Sequence, residues 1–214
     1  MSTQMTRGYQ LTKGDRYVVI DDLLPPTAFE EARAEFDSVA LKPGLSAIDP
    51  VYDGFNYRGG RDKVPLSTED VGSTMRSAVV KEIKNFSGLF DEATRWGREV
   101  TFTAWGYPSG PRLSWHNDGG AGRLGAFVYF VHPEWRPGWG GELAIVDCDG
   151  DGCAADSPLS ILDTGPIPVL VRPRPNRLVL LKSHTLHAVQ RVDPTAGDNL
   201  RKTFTGFVSS RVDG

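Results

Sequence analysis

His116 and Asp118, in the run Trp115-His116-Asn117-Asp118, are the two side chains of this sequence best placed to hold a metal together. Successive side chains of a strand point to opposite faces, so an imidazole and a carboxylate two residues apart share a face and project toward one point. With a second histidine they form a two-histidine, one-carboxylate set, which binds Fe(II) and leaves coordination positions open. The chain has four histidines, His116, His132, His184 and His187, and the third ligand is expected from the last two. Arg177 to Ser183 reads as a strand that turns at Ser183, which leaves His184 in the turn, while His187 starts the strand-like stretch Leu186-His187-Ala188-Val189. A strand holds a ligand more rigidly than a turn, so His187 is chosen and His184 is left exposed or near a substrate. A His-x-Asp pair alone carries little weight, because by chance it more often decorates a surface.

Arg201 adds weight to the pair. It opens Arg201-Lys202-Thr203-Phe204-Thr205-Gly206-Phe207, a strand on which Thr203, Thr205 and Phe207 share its face. An arginine aimed into an apolar barrel is costly without an anion. A carboxylate gripped by both arms of the guanidinium is its natural partner. Taken alone, the residue fits equally well as the partner of an Asp or Glu at a barrel rim.

The elements that must position these groups are short. Tyr17 to Ile20 reads as a buried strand after a polar leader, Met1 to Arg16, and Pro25-Pro26-Thr27 opens a helix with Ala28, Phe29, Ala32, Phe36 and Val39 on its packed face. A second helix is expected from Thr68, as cap, to about Asn85, burying Val71, Met75, Ala78, Val79 and Ile83, and a third from Leu89 to Trp96. Beyond Glu99 come strand-like stretches separated by Gly and Pro: 100–107, 113–118, 124–131, 142–146, 169–171, 178–181, 187–192 and 203–209. That pattern is one of an antiparallel sandwich or barrel. Leu41 to Pro65, rich in Gly, Pro and Asp, reads as a long loop carrying Tyr57, Arg58 and Arg61. It is either a surface loop with aromatics tucked onto the core or a lid over a substrate.

Bulk properties narrow the class. The 214 residues, 39% hydrophobic and 24% charged, suit a folded globular chain. A net charge of −3 supplies no field for nucleic acid. No apolar run reaches the roughly 20 residues of a membrane span, and the start lacks a signal-peptide layout. Two cysteines, Cys148 and Cys153, fit a reducing cytoplasm with free thiols.

Taken in order, Tyr107-Pro108-x-Gly110, Trp115-His116-x-Asp118, Tyr129-Phe130, Gly140-Gly141-Glu142-Leu143, Leu181-x-Ser183-x-x-x-His187-x-Val189 and Arg201-x-Thr203-x-Thr205-Gly206-Phe207 resemble the prolyl-hydroxylase-like branch of the Fe(II)- and 2-oxoglutarate-dependent dioxygenases. The similarity covers about Thr101 to Ser209. It implies a mainly β fold with supporting α-helices, a double-stranded β-helix or cupin-like jelly-roll, in one domain over 1–214, with 1–98 as helical support and possible lid and 99–210 as the jelly-roll core. It implies Fe(II) on His116, Asp118 and His187, with O2 and 2-oxoglutarate as cosubstrates and ascorbate as a possible reductant. Arg201 would take the distal carboxylate of 2-oxoglutarate with Thr205 beside it, Tyr107 would hydrogen-bond the cosubstrate, and Leu143 would line its apolar middle. Where this chain has Phe130, the family often has a tyrosine. Similar halogenating enzymes lack the carboxylate, so Asp118 points to oxygenation. The reaction expected is hydroxylation of a small molecule, a free amino acid or a natural-product intermediate, gripped by Tyr57, Arg58 and Arg61 if acidic or zwitterionic. The alternatives are hydroxylation of a peptidyl proline or other protein side chain, and a jelly-roll that binds metal or a small acid without turnover. The sequence is silent on oligomeric state.

Three other stretches have plain readings. Asp147 to Gly152 has the look of a calcium loop but no closing acid, so a solvated hairpin turn is expected. Gly119-Gly120-Ala121-Gly122 is a link between strands, lacking the strand-loop-helix context of a phosphate cradle. Trp135, Pro137 and Trp139 are expected to pack and turn, and Trp105 and Trp115 to be core aromatics beside the site.

Overall fold

Period-two alternation divides the apolar runs of this chain between two cores. Val18, Ile20, Phe127, Tyr129, Leu178 and Leu180 belong to one, and Tyr17, Val19, Ala126, Val128, Val179 and Leu181 belong to the other. The strands bearing them are therefore covered on both faces, which is why they read as continuous apolar runs. The structure, a computed structural model, describes residues 2–6, 9–68, 71–90, 98–120, 122–148 and 167–210.

Along those residues the elements are β1 (Ser2–Thr6), β2 (Tyr9–Lys13), β3 (Tyr17–Ile20), α1 (Pro26–Asp37), β4 (Lys42–Leu45), α2 (Pro50–Asp53), β5 (Phe55–Pro65), α3 (Thr74–Asn85), β6 (Arg98–Tyr107), β7 (Leu113–His116), β8 (Arg123–Phe130), β9 (Leu143–Ile145), β10 (Val169–Val171), β11 (Leu178–Lys182), β12 (His187–Val189) and β13 (Arg201–Ser210). A nine-stranded sheet runs in the order β1-β2-β3-β11-β8-β13-β6-β5-β4, and a four-stranded sheet in the order β10-β9-β12-β7. The pairings are antiparallel, and the two sheets form the jelly-roll. One core lies between them. The other fills the space between the large sheet and the helices, where Phe36 of α1 meets Phe204 of β13 edge to face at 5.5 Å. Arg177 clamps the end of β3 with two bonds to the Asp21 carboxylate, 2.6 and 2.9 Å, a fork geometry that fixes orientation as well as charge.

α1 starts where proline fixes φ, with Pro25 as cap and Pro26 in the first turn. α3 starts later than the sequence suggests. Its cap is Ser73, whose hydroxyl accepts from the Arg76 N–H at 3.2 Å, because Gly72 at φ +82° lies in a left-handed conformation that no helix continues. Val71, Met75, Val79 and Ile83 are buried as expected, and Ala78 is half-buried. The helix expected at Leu89 to Trp96 is only a 3-10 turn, Ser87–Phe90, as far as the described residues reach.

The largest departure is at Leu41 to Pro65. In place of a long loop the structure has β4, α2 and β5, the last an eleven-residue strand paired with β6 from Tyr57 opposite Gly106 to Pro65 opposite Glu99. Its side chains are mostly polar or exposed, so the backbone ladder leaves no apolar alternation to read. The polar leader likewise holds β1 and β2. Cys148 is disulfide-bonded rather than a free thiol. Cys153 and most of the expected hairpin turn at 149–152 lie outside the described residues. Among the described residues no helix is long and apolar enough to cross a membrane.

Candidate metal centre

β7 and β12 pair so that His116 stands directly opposite His187. Their rings lie 4.2 Å apart between centroids. Asp118 completes the group, with Oδ1 3.5 Å from His116 Nε2 and Oδ2 3.2 Å from His187 Nε2. One ligand atom from each of the three falls within 4.8 Å of the others. Asp118 does not arrive as a strand neighbour, because β7 ends at His116 and Asp118 sits at φ +49°. A left-handed turn, which Asp tolerates better than most residues, swings the carboxylate back over the histidines.

Each imidazole is set for ligation by the bond its other nitrogen makes. Nδ1 of His116 lies 2.7 Å from the Ser114 carbonyl, and Nδ1 of His187 lies 2.7 Å from the Thr185 carbonyl. Nδ1 therefore carries the proton and Nε2 keeps a free lone pair aimed at the common point. Burial, reinforced by the neighbouring His187, lowers the His116 pKa to about 4 and keeps the ring neutral. Burial pushes the Asp118 carboxyl up, but His187, His116 and the Arg123 charge beside it outweigh that and hold it below its ordinary value. Two imidazoles and one carboxylate of this shape suit Fe(II).

Beside the triad opens a cavity of about 800 Å³ between the two sheets. Arg201 forms part of its inner wall. The guanidinium is 1% exposed, and its Nε donates to the Gly141 carbonyl at 2.6 Å. One terminal nitrogen has no partner. The group lies 4.8 Å over the Phe130 ring and 5.8 Å from that of Tyr107, and burial lowers its pKa to about 10, so it is charged. A buried cation with an unspent donor calls for an anion. Glu142 contributes charge at a distance, but no ion pair to Arg201 occurs among the described residues. Tyr107, Leu143 and Thr205 all face the same cavity, and burial pushes the Tyr107 hydroxyl well up, keeping it protonated. These residues fit a short dicarboxylate held between the triad and Arg201.

Of the residues expected to touch a substrate, Arg58 and Arg61 line the cavity and Tyr57 does not. Tyr57 alternates with Arg58 on β5 and so faces away, 37% exposed. Three residues apart, Arg58 and Arg61 should also alternate, but a bulge at Gly60, φ +55°, restores them to one face. His184 is exposed at φ +57°, its ring against Gly119, beside the triad and outside it. Trp135 and Trp139 pack together near Val192, Trp115 packs on Val146 and Leu186, and Trp105 lines the cavity. Sequence reasoning missed Asn56, Asp53 and Arg123. The first two stand in the segment read as a loop, and Arg123 follows the glycine run.

Residues 100–209 match the model of the 2OG-Fe(II) oxygenase superfamily. Comparison with curated proteins finds no sequence match. The fold is similar to that of a Pseudomonas putida prolyl-4-hydroxylase, at 19% identity and TM-score 0.56 over 91% of this chain and 92% of that one. It is also similar to SnoN, a non-heme alpha-ketoglutarate-dependent epimerase from nogalamycin biosynthesis, at 15% identity and TM-score 0.55 over 92% and 79%. A third similar structure is HygX from Streptomyces hygroscopicus with nickel and 2-oxoglutarate bound, at 13% identity and TM-score 0.54 over 92% and 83%.

Proposed function

Because the chain belongs to the 2OG-Fe(II) oxygenase superfamily, whose enzymes use Fe(II), 2-oxoglutarate and O2, we propose that it hydroxylates a C–H bond of a small molecule with release of succinate and CO2. The observation that carries this reading is the unpartnered guanidinium nitrogen of Arg201, buried in the same cavity as the His116, Asp118 and His187 triad. The three triad residues hold the iron, and Arg201, with Thr205 beside it, takes the distal carboxylate of 2-oxoglutarate. When bound, iron and the keto acid supply with O2 the oxidising power that replaces C–H by C–OH. The chain's own residues orient and exclude. Tyr107 offers a protonated hydroxyl to the cosubstrate, and Leu143 and Val189 give it a dry apolar wall. Asp118 fills the coordination position that a halogenating enzyme leaves open.

The cavity volume falls within the range of small-molecule sites, about 300–1,000 Å³. Among proteins of similar fold, one acts in nogalamycin biosynthesis and one is known with hygromycin B bound, which supports a natural-product intermediate. Hydroxylation of a peptidyl proline or other protein side chain is the second reading. Ile48, Val51, Tyr52 and Phe55 are exposed on the β4–β5 segment whose residues 46–48 line the cavity, a surface a peptide could cover. The experiment is succinate release with and without iron, 2-oxoglutarate and a panel of amino acids, natural products and peptides, followed by product mass. Gain of one oxygen marks hydroxylation and loss of two hydrogens marks desaturation. No turnover under reducing conditions, coupled or uncoupled, would sink the oxygenase reading.

A further inference from the structure

The outer part of the cavity holds polar groups that iron and 2-oxoglutarate do not use. Asn56 of β5 is 1% exposed and lines the cavity, and neither its amide oxygen nor its amide nitrogen has a partner. Leaving both unpaired costs free energy unless a ligand supplies a donor and an acceptor. Arg58 follows two residues later on the same face, 5.9 Å over the Trp105 ring, and the bulge adds Arg61. Neither has an acidic partner among the described residues. Arg123 lies 4.0 Å over the Phe207 ring and donates to the Asp118 carbonyl. Asp118 is the one carboxylate among the described residues lining the cavity, and it is turned to the two histidines.

We propose that this outer part is the substrate subsite and that the substrate is a small carboxylate with an uncharged amide beside it, as in an N-acylated amino acid. Arg58 and Arg61 take the carboxylate, and Asn56 pairs with the amide, whose N–H and C=O match its unspent acceptor and donor. A free amino acid fits worse, because its ammonium would stand among three guanidinium groups with no free carboxylate to neutralise it. The inference rests on the oxygenase reading of the triad and Arg201, and narrows it.

The test uses the full chain loaded with nickel(II), the metal HygX holds together with 2-oxoglutarate. Binding of 2-oxoglutarate is measured first by calorimetry; its absence overturns the functional reading and this inference with it. The loaded protein is then titrated with N-acetyl amino acids and with the same amino acids free. At least one N-acetyl compound should bind about tenfold or more tighter than its free parent. Arg58→Gln with Arg61→Gln, both exposed on β5, should weaken that binding about tenfold and leave 2-oxoglutarate affinity unchanged. Asn56→Asp supplies the missing acid and should reverse the preference toward the free amino acid. With 2-oxoglutarate binding intact, free amino acids binding as tightly, no N-acetyl compound binding at millimolar concentration, or an unaffected double variant would each overturn this inference alone.

Discussion

The Asp53 carboxylate accepts a hydrogen bond from the Ser114 hydroxyl at 2.6 Å, and the carbonyl of that same Ser114 accepts from Nδ1 of His116 at 2.7 Å. Asp53 is fully buried at the end of α2 and accepts also from the Ser114 N–H, the Arg112 guanidinium and the Ser46 hydroxyl. The segment before β5 is thereby tied to the strand that carries a metal ligand. Asp53→Ala should lower metal affinity about 10-fold to 100-fold and destabilise the fold by about 3 kcal/mol, since it strands several buried donors. Burial pushes this carboxyl up, but the bonds from Ser114, Ser46 and Arg112 outweigh it and hold it below its ordinary value of 3.8. A lowered carboxyl stabilises above that value and loses its effect as pH falls through the folded-state pKa, so variant and wild type should converge in strong acid. Metal titration and melting across pH check this, and unchanged metal affinity would sever the link.

His187 and His184 lie three positions apart and differ in every physical respect that matters for ligation. His187 is 5% exposed, strand-borne and opposite His116, whereas His184 is exposed in a left-handed turn. Replacing His187 by Ala should abolish iron binding, while His184→Ala should change it less than about threefold, roughly 0.6 kcal/mol. Equal losses in an iron titration would mean the third ligand is wrongly assigned.

Part of this site was legible because its residues sit in strongly patterned sequence. His187 and Arg201 lie on strands whose apolar neighbours mark their faces, and Arg201 stands out as a charge in such a setting. Asp118 was reached by spacing that holds only on a strand, while the chain actually uses a left-handed turn. Asn56 and Asp53 were not legible. β5 is polar on the face that lines the cavity and broken by Gly59-Gly60, so nothing in its composition distinguishes an eleven-residue strand from a loop. Its existence is dictated by the free edge of β6, which only the folded sheet reveals.

His132 makes acid sensitivity testable apart from the metal ligands. It is 1% exposed between Phe130 and Trp135, and burial, with the nearby Arg201 charge, lowers its pKa from 6.5 to about 3. The folded state keeps the ring neutral while the unfolded chain protonates near pH 6.5. Stability from this group is therefore full above pH 6.5 and falls by about 1.4 kcal/mol per pH unit down toward pH 3. His132→Phe, which keeps a ring in place, should remove one proton's worth of that slope. Denaturant unfolding at several pH values measures it, and identical slopes in variant and wild type would refute the assignment.

Gly141 lets the backbone approach Arg201 closely enough for the 2.6 Å bond from Nε to its carbonyl. It sits at φ +71°, and an added Cβ would lie 2.9 Å from the Arg201 Cδ and 3.3 Å from Val192. Gly141→Ala thus carries two penalties, about 1–2 kcal/mol of left-handed strain and a push on the arginine stem. Gly138, at φ +94°, would meet nothing within 4 Å, so Gly138→Ala bears a comparable backbone cost without the push. If Arg201 holds the distal carboxylate of 2-oxoglutarate, Gly141→Ala should weaken 2-oxoglutarate about tenfold with metal affinity nearly unchanged, and Gly138→Ala should change neither. Calorimetric titration of both variants decides the matter. Equal effects would assign the loss to backbone strain, and no effect at Gly141 would remove Arg201 from the cosubstrate site.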